Sequence, residues 1–410
     1  MISHVSNKTA QIERIAALCG LVWLVSIIDA CFTWFFPWEV RHIIGSLFVF
    51  YATILLSQNH GLIFSKQRRT LFFLLMLLAT FMVFRHFQIY TIPFKFGPLM
   101  CIVFWNNNVL QRFYKLFRSF IIFYAVLSII VEVCVLTRLW VNWPCIKLPP
   151  QDNVQEALGY VNYFYGLFSI QSVDYNLDFY RACGPLREGG HFSLFLGFVY
   201  FADKAIFNRR SIWILICGVL TLSPNFLIAF ILTEGYAAIK QKKIIKPVLG
   251  LIATIGIVIC VFFMSPDSIQ DEIVRVVLER TLEESVENAG EEGLVALIDG
   301  RAGVDGLSDF DFFVRKSFYI KLIGMELPEG NVMSDFRYLI MLFGFVGSAI
   351  IVLCTISFSV GYNRNLFGFC LFLFGLLILI HRSWMFVEHY HWTIMFLLNN
   401  MWSISVKTRL

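Results

Sequence analysis

The sequence predicts an all-α fold, a polytopic bundle of about twelve transmembrane helices with two long loops on one side of the membrane. Three observations predict it. Hydrophobic residues make up 58% of the chain and charged residues only 15%, whereas a soluble domain carries about 25% charge. Apolar runs follow one another along the chain, and the first, Ile15 to Phe36, is about as long as a full bilayer span. Lysine and arginine gather in every second connection between those runs, the bias that orients membrane proteins. The 44 phenylalanines and 10 tryptophans suit lipid-facing surface and interfacial belts. A net charge of +5 is too modest to suggest nucleic acid.

The whole chain, 1–410, reads as one integral membrane domain. The first run, Ile15 to Phe36, lacks a small-residue cleavage site, so it reads as a retained helix and not a signal peptide. Further spans are expected at 42–57, 71–86, 92–107, 119–141, 189–207, 211–223, 225–240, 247–264, 337–360, 366–380 and 391–405. Pro93, Lys95 and Pro98 interrupt the run at 92–107. The runs at 211–223 and 225–240 are short and meet at Ser223-Pro224-Asn225, where a turn and a broken helix both fit.

Lys8 and Arg14 precede the first span. Lys66, Arg68 and Arg69 follow the second, and Arg112, Lys115 and Arg118 follow the fourth. Lys204, Arg209 and Arg210 continue the alternation, then Lys240, Lys242, Lys243 and Lys246, then Arg364, then Lys407 and Arg409. Both termini are therefore expected in the cytoplasm. Glu13 and Asp203 are the clear acidic exceptions on that side. The connections there are too short for a glycine-rich phosphate loop or nucleotide fold. Chemistry is expected in the outer loops or between the helices.

The first long outer loop, about 141–188, is rich in aromatic residues: Tyr160, Tyr163, Phe164, Tyr165, Phe168, Tyr175, Phe179 and Tyr180. They suit a membrane-interface belt, and some could stack on sugar rings. The second, about 265–335, is strongly acidic. Ser268-Ile-Gln-Asp271 reads as a capping box opening an amphipathic helix, with Ile269, Ile273, Val276, Val277 and Val286 on its apolar face. Cys145 and Cys183 are the cysteines clearly in an outer loop, where a disulfide between them is permitted and two free thiols are the alternative. No CxxC pair is present, which argues against zinc or iron–sulfur.

The densest chemistry lies in Arg181-Ala-Cys-Gly-Pro-Leu-Arg187-Glu188-Gly-Gly-His191, directly before an apolar run. Charge at a bilayer edge is costly to desolvate, so a cluster of it suggests a site. Arginine offers a rigid fork that suits phosphate. Glu188 and His191 can move protons, and either could act as a base. Asp299-Gly300-Arg301-Ala-Gly303-Val-Asp305-Gly306 in the second loop is a turn in which Arg301 either pairs with nearby carboxylates or makes a second phosphate or sugar contact. Asp335 and Arg337, at the start of the run 337–360, suit helix capping and binding alike. His381, Arg382, Glu388, His389 and His391 fit a polar mouth better than a metal site, because no ligand spacing stands out.

With these residues in place, the chain resembles the O-antigen and polysaccharide polymerases of bacterial inner membranes, in the O-antigen ligase-polymerase superfamily. The likeness spans nearly its whole length. Arg187-Glu188-Gly189-Gly190-His191-Phe192 resembles a Glu-Pro-Gly-His type of motif at the end of the first long loop, with Gly189 in place of the proline. Thr221-Leu-Ser223-Pro-Asn225 resembles the family's Thr-Leu-Ser segment, and Asp299-Gly300-Arg301 its glycine-arginine stretch. Leu322-Ile-Gly324-Met-Glu326, Ser334-Asp335-Phe-Arg337 and Gly344-Phe-Val-Gly347 follow in the family's order.

The resemblance implies a metal-independent glycosyltransferase with no cofactor. Its donor and acceptor would be glycans on undecaprenyl diphosphate. Membrane lipid and a chain-length regulator protein are the other partners implied. Glu188 and His191 would be catalytic, while Arg181, Arg187, Arg301, Asp299, Asp335 and Arg337 would bind diphosphate or sugar. Related O-antigen ligases usually carry a histidine in the second long loop, and none occurs between Ser265 and Ser334 here. A twelve-span transporter would show two similar halves, whereas the loops here are uneven. A scaffold without catalytic activity is the remaining alternative.

Overall fold

The computed structural model describes residues 2–28, 30–33, 35–59, 61–86, 91–137, 145–148, 161–165, 167–173, 176–186, 189–221, 223–241, 303–326, 336–361, 365–381 and 389–407. The described chain is mostly helical. Five of its helices are long and apolar enough to cross a membrane: Lys8–Ile27, Trp38–Gln58, Lys66–Phe84, Asn107–Cys134 and Phe336–Ser359. The span expected at 247–264 and the amphipathic helix expected from Ser268 lie outside the described residues. Two compact units form, one from residues 1–123, 316–326 and 338–410, the other from 124–315 and 327–337.

The first unit opens with α1 (Ile2–Ile27) and α2 (Trp38–Gln58). The first span therefore ends earlier than residue 36. Pro37 disfavours helical geometry at Phe36, and a separate 3-10 turn forms at Cys31–Thr33. His42, Gly45, Ser46, Val49, Ala52 and Leu56 make one buried face of α2. At Gly45 an added Cβ would lie 3.1 Å from Ser26 and 3.2 Å from the Trp23 backbone. Small residues thus let α1 and α2 approach closely, as membrane helices do. Ile44, Leu47, Phe48, Tyr51 and Ile54 are exposed on the other face, where lipid is the natural neighbour.

After α3 (Lys66–His86) comes a π-helical turn, Thr91–Phe96, and the six-residue α4 (Gly97–Ile102). Pro93 and Pro98 explain why 92–107 is not one regular span: neither can donate a helical hydrogen bond. Helix α5 then starts at Asn107 rather than 119 and runs to Leu136, so Arg112, Lys115 and Arg118 ride on it. Asn106 Oδ1 caps its start, accepting from Val109 N at 2.9 Å.

One end of this unit gathers its polar residues. Arg68 donates to Trp105 O, to Asn107 Oδ1 at 2.7 Å and to Asn400 Oδ1 at 3.4 Å. Arg112 Nε donates to Glu13 at 3.3 Å, and Asn108 donates to the same carboxylate at 3.1 Å. Leu62 and Trp105 form an isolated antiparallel bridge. Thus the start of α1, the α2–α3 connection, the α4–α5 connection and the last helix share one end.

In the second unit a four-stranded antiparallel sheet occupies part of the first long loop: β1 (Ile146–Leu148), β2 (Val161–Phe164), β3 (Ser169–Val173) and β4 (Asn176–Ala182), in that order across the sheet. The all-α expectation is corrected here. Val, Ile, Tyr and Phe favour strands, so the loop aromatics read as a belt are partly ladder residues. Tyr163 pairs with Ile170, and Phe164 is buried. Tyr165 and Phe168 stack at the β2–β3 turn with centroids 5.3 Å apart.

Strand order also explains why Cys145 and Cys183 do not form a disulfide with each other. They flank β1 and β4, the two edges, which are three strand spacings or about 14 Å apart. A disulfide needs Cα atoms within about 7 Å.

Helices α6 (Gly189–Ala205), α7 (Ile212–Leu220) and α8 (Pro224–Gln241) follow, close to the expected boundaries. Next described is α9, Gly303–Arg315, which takes the Gly303-Val-Asp305-Gly306 segment into helix rather than a turn. Leu307, Phe310 and Val314 recur at helical spacing there, and this signal outweighs the two glycines.

The first unit closes with α10 (Phe318–Ile323), α11 (Phe336–Ser359, whose first two residues belong to the second unit), α12 (Leu366–His381) and α13 (Tyr390–Lys407). Helix α11 is broken at Gly344, φ 63° and ψ −174°. Gly324, φ 87°, sits against the break. Met325 N donates to Met341 O at 2.7 Å, a carbonyl that the break frees from its helical partner. A Cβ on either glycine would fall 2.4 Å from backbone of the other segment. Gly344→Ala and Gly324→Ala are therefore expected to lower stability by about 2 kcal/mol or more. Gly235→Ala is the control, because nothing lies within 4 Å of its Cβ position. Thermal midpoints of the three purified variants check this. Equal midpoints would show that the backbone contact does not hold α11 in its broken form.

Candidate functional site

The polar residues of the second unit collect at the two ends of a helix pair. Helix α6 is 17 residues long, about 25 Å, and is buried on nearly every side. A helix apolar all round is a core helix. Its approach is fixed by Gly184, φ 59°, where a Cβ would strike the Phe192 ring at 2.7 Å. Ser169 N donates to Gly184 O at 3.1 Å, and Ser169 Oγ donates to Leu186 O, so β3 holds the turn that leads into α6.

At the N-terminal end of α6, the Gly190 carbonyl accepts from Ser193 Oγ at 2.6 Å and from Asn225 Nδ2 at 3.3 Å. Ser193 Oγ and Ser223 Oγ are hydrogen-bonded at 3.0 Å. Ser223 caps α8 in turn, its Oγ accepting from Asn225 N at 3.4 Å, with Pro224 as first helical residue. Thr221 Oγ1 donates to Gly218 O at 2.7 Å. Ser193, Thr221, Ser223 and Asn225 are all buried. His191 stands in the same first turn of α6, half-buried. The two segments Gly189-Gly-His191 and Thr221–Asn225, distant in sequence, therefore meet.

At the other end, Glu234 of α8 accepts from Tyr200 Oη at 2.8 Å and pairs with Lys204 at 3.2 Å and Arg210 at 3.3 Å. Lys240 Nζ donates to Ala205 O at 3.3 Å. The pairs 190–225 and 205–240 keep one offset along both helices, so α6 and α8 run parallel. Arg210, just before α7, reaches Glu234 toward the far end of α8, so α7 runs antiparallel to both. The junction at Ser223 is thus a reversing turn, not a broken helix.

Of the residues singled out from sequence, His191 is placed in this first turn. Arg181 lies in β4 with its backbone opposite Gln171. Arg337 is buried at the start of α11, its guanidinium 5.9 Å over the Phe336 ring. Glu188, Arg187, Asp299, Arg301 and Asp335 lie outside the described residues, as do Arg382 and Glu388. His389 and His391 are buried in the first unit, His389 with its ring 3.9 Å from Phe96. Among the described residues, no three His, Cys, Asp or Glu side chains gather as a metal site.

Two carboxylates were passed over by the sequence analysis. Glu234 is one. Glu132 of α5 is the other, 6% exposed, with no hydrogen-bond partner for Oε1 among the described residues. The signal was present: a lone acid inside an apolar run demands a partner or a role.

The Glu234 cluster should hold the helix pair that carries the site. Its side chain is 7% exposed and that of Lys204 9%. Glu234→Gln strands a buried ammonium and is expected to destabilise by about 3 kcal/mol. Arg210, 64% exposed, should be replaceable by Gln at little loss. Denaturation of both variants in detergent tests it, and an unshifted Glu234→Gln transition would refute the clamp.

No protein-family model, curated protein or solved structure matches this chain.

Proposed function

We propose that the chain polymerises undecaprenyl-diphosphate-linked oligosaccharide repeat units into a surface polysaccharide. The observation that carries this reading is the hydrogen-bonded junction of Gly189-Gly-His191 with Thr221–Asn225. These are two of the segments that resemble polymerase motifs, and they meet at the N-terminal ends of two parallel helices.

In this reading the acceptor hydroxyl attacks the anomeric carbon of the donor glycan, and the lipid diphosphate leaves. Arg181, Arg187 and Arg301 stabilise the departing diphosphate as charge develops on it. Glu188 takes the acceptor proton, and His191 orients the acceptor or the base. Ser193, Ser223 and Asn225 hold the His191 turn in place. The protein is a twelve-span resident of the bacterial inner membrane with both termini in the cytoplasm and both long loops outside. Supporting that topology, basic segments assigned to the cytoplasm lie together at one end of the first unit.

Fusions test the topology. A reporter active only outside the membrane is expected to be active at Asp152 and Glu287 and silent at Gln241. Activity at Gln241 overturns it.

Polymer length tests the chemistry at matched protein level. Glu188→Gln should abolish polymer, His191→Gln should leave short residual polymer, Arg187→Ala should abolish polymer, and Arg187→Lys, which keeps the charge but loses the fork, should impair it strongly. Full-length polymer from both Glu188→Gln and Arg187→Ala would eliminate the proposed site. Bare core with accumulating lipid-linked polymer in a gene deletion would indicate a ligase instead.

A further inference from the structure

A cavity of about 110 Å³ in the first unit is used by none of the chemistry above. Trp38, Glu39, His42 and Ile43 of α2 line it, with Phe94 and Lys95 of the π-helical turn. The wall itself is almost wholly apolar, and Lys95 and Glu39 border it with one charge of each sign. His42 is 5% exposed and meets Trp38 edge-on, centroids 4.4 Å apart. The Arg41 guanidinium lies 4.8 Å over the same indole and donates to Thr33 Oγ1 at 3.0 Å. Ser46 Oγ lies 2.9 Å from Phe94 O and 2.6 Å from His42 O, tying the π turn to α2. Isolated π turns occur frequently at functional sites.

Charge placement makes the cavity unusual. Arg41, in the first turn of α2, and Lys95, in the π-helical turn, lie where the expected alternation of basic residues leaves few cations. A cation placed against that bias calls for a local reason. The apolar surface continues from the cavity as a ridge along α2: Ile43, Leu47 and Tyr51 are 38%, 55% and 54% exposed. An amphipathic ligand fits both features, its chain on the ridge and its head at the charges.

We infer that this cavity binds an anionic lipid, with Lys95 on the phosphate at the cavity edge, Glu39 beside it as a like charge that limits affinity, and Trp38, Ile43 and Phe94 against the first methylenes. Arg41 and His42 hold Trp38 in position. The inference needs only a membrane-embedded protein and is independent of polymerase activity. A bulk phospholipid and a polyprenyl phosphate share the required chemistry.

The test uses the full-length protein in phosphatidylcholine nanodiscs. Phosphatidylglycerol is titrated in one arm and undecaprenyl phosphate in the other, and retained lipid is counted by native mass spectrometry. Lys95→Gln is expected to retain about fivefold less anionic lipid, the loss of one surface cation. Lys95→Arg should behave as wild type, and Glu39→Gln should retain more phosphatidylglycerol, because a like charge is gone. A misfolded variant would not produce changes of opposite sign. Stronger retention in one arm identifies the source, and either result supports the site. Equal retention by wild type and Lys95→Gln, or phosphatidylcholine held as well as phosphatidylglycerol, overturns it.

Discussion

A guanidinium in an apolar interior must find hydrogen-bond acceptors, and Arg68 finds them in three separate places along the chain. Its partners are the Trp105 carbonyl, Asn107 and Asn400. One side chain on α3 therefore binds the α4–α5 connection, the start of α5 and the last helix. The guanidinium is buried away from water, so without these acceptors it would be left unsatisfied at a cost of several kcal/mol. The Glu13–Arg112 pair adds the first helix to the same end. Apolar packing lets these helices slide and rotate, whereas this network sets which ends lie together.

The second unit applies the same constraint twice along one helix pair. Hydroxyl, amide and carbonyl groups join α6 to α8 at one end, and a carboxylate with two cations joins them at the other. Fixing both ends sets the register between parallel helices that are apolar in between. The first turn of α6, with His191, is thereby held against Ser223 and Asn225. That first turn cannot shift without breaking buried hydrogen bonds, the kind of support that a pre-organised site needs. Glycine serves the opposite purpose at Gly324 and Gly344, where two backbones touch and a helical carbonyl is handed to a different segment.

Several elements were legible in the residues themselves. Helices α6, α8, α11, α12 and α13 start and stop close to where apolar runs and their flanking charges place them. The errors have local causes. Proline divided the 92–107 run, and Asn106 started α5 well before its apolar stretch. The strands of the first loop escaped notice because aromatic residues satisfy an interface belt and a strand equally well. Glu234 and Glu132 were missed because each is a single charge in an otherwise apolar run, and its meaning lies in what it faces.

What the sequence by itself determined was a membrane-embedded, mostly helical chain, because hydropathy and charge are sums over local residues that need no knowledge of neighbours. It also singled out the segment ending at His191 by its polar residues at the edge of an apolar run, and Thr221–Asn225 by a resemblance to a family segment. Only the tertiary structure decided that these two segments meet, that α6 and α8 run parallel, that Ser223 marks a reversing turn and that Cys145 and Cys183 stay apart. Those facts depend on hydrogen bonds and strand order between residues far apart in the chain. Many pairings satisfy the same local pattern, and packing in three dimensions selects one.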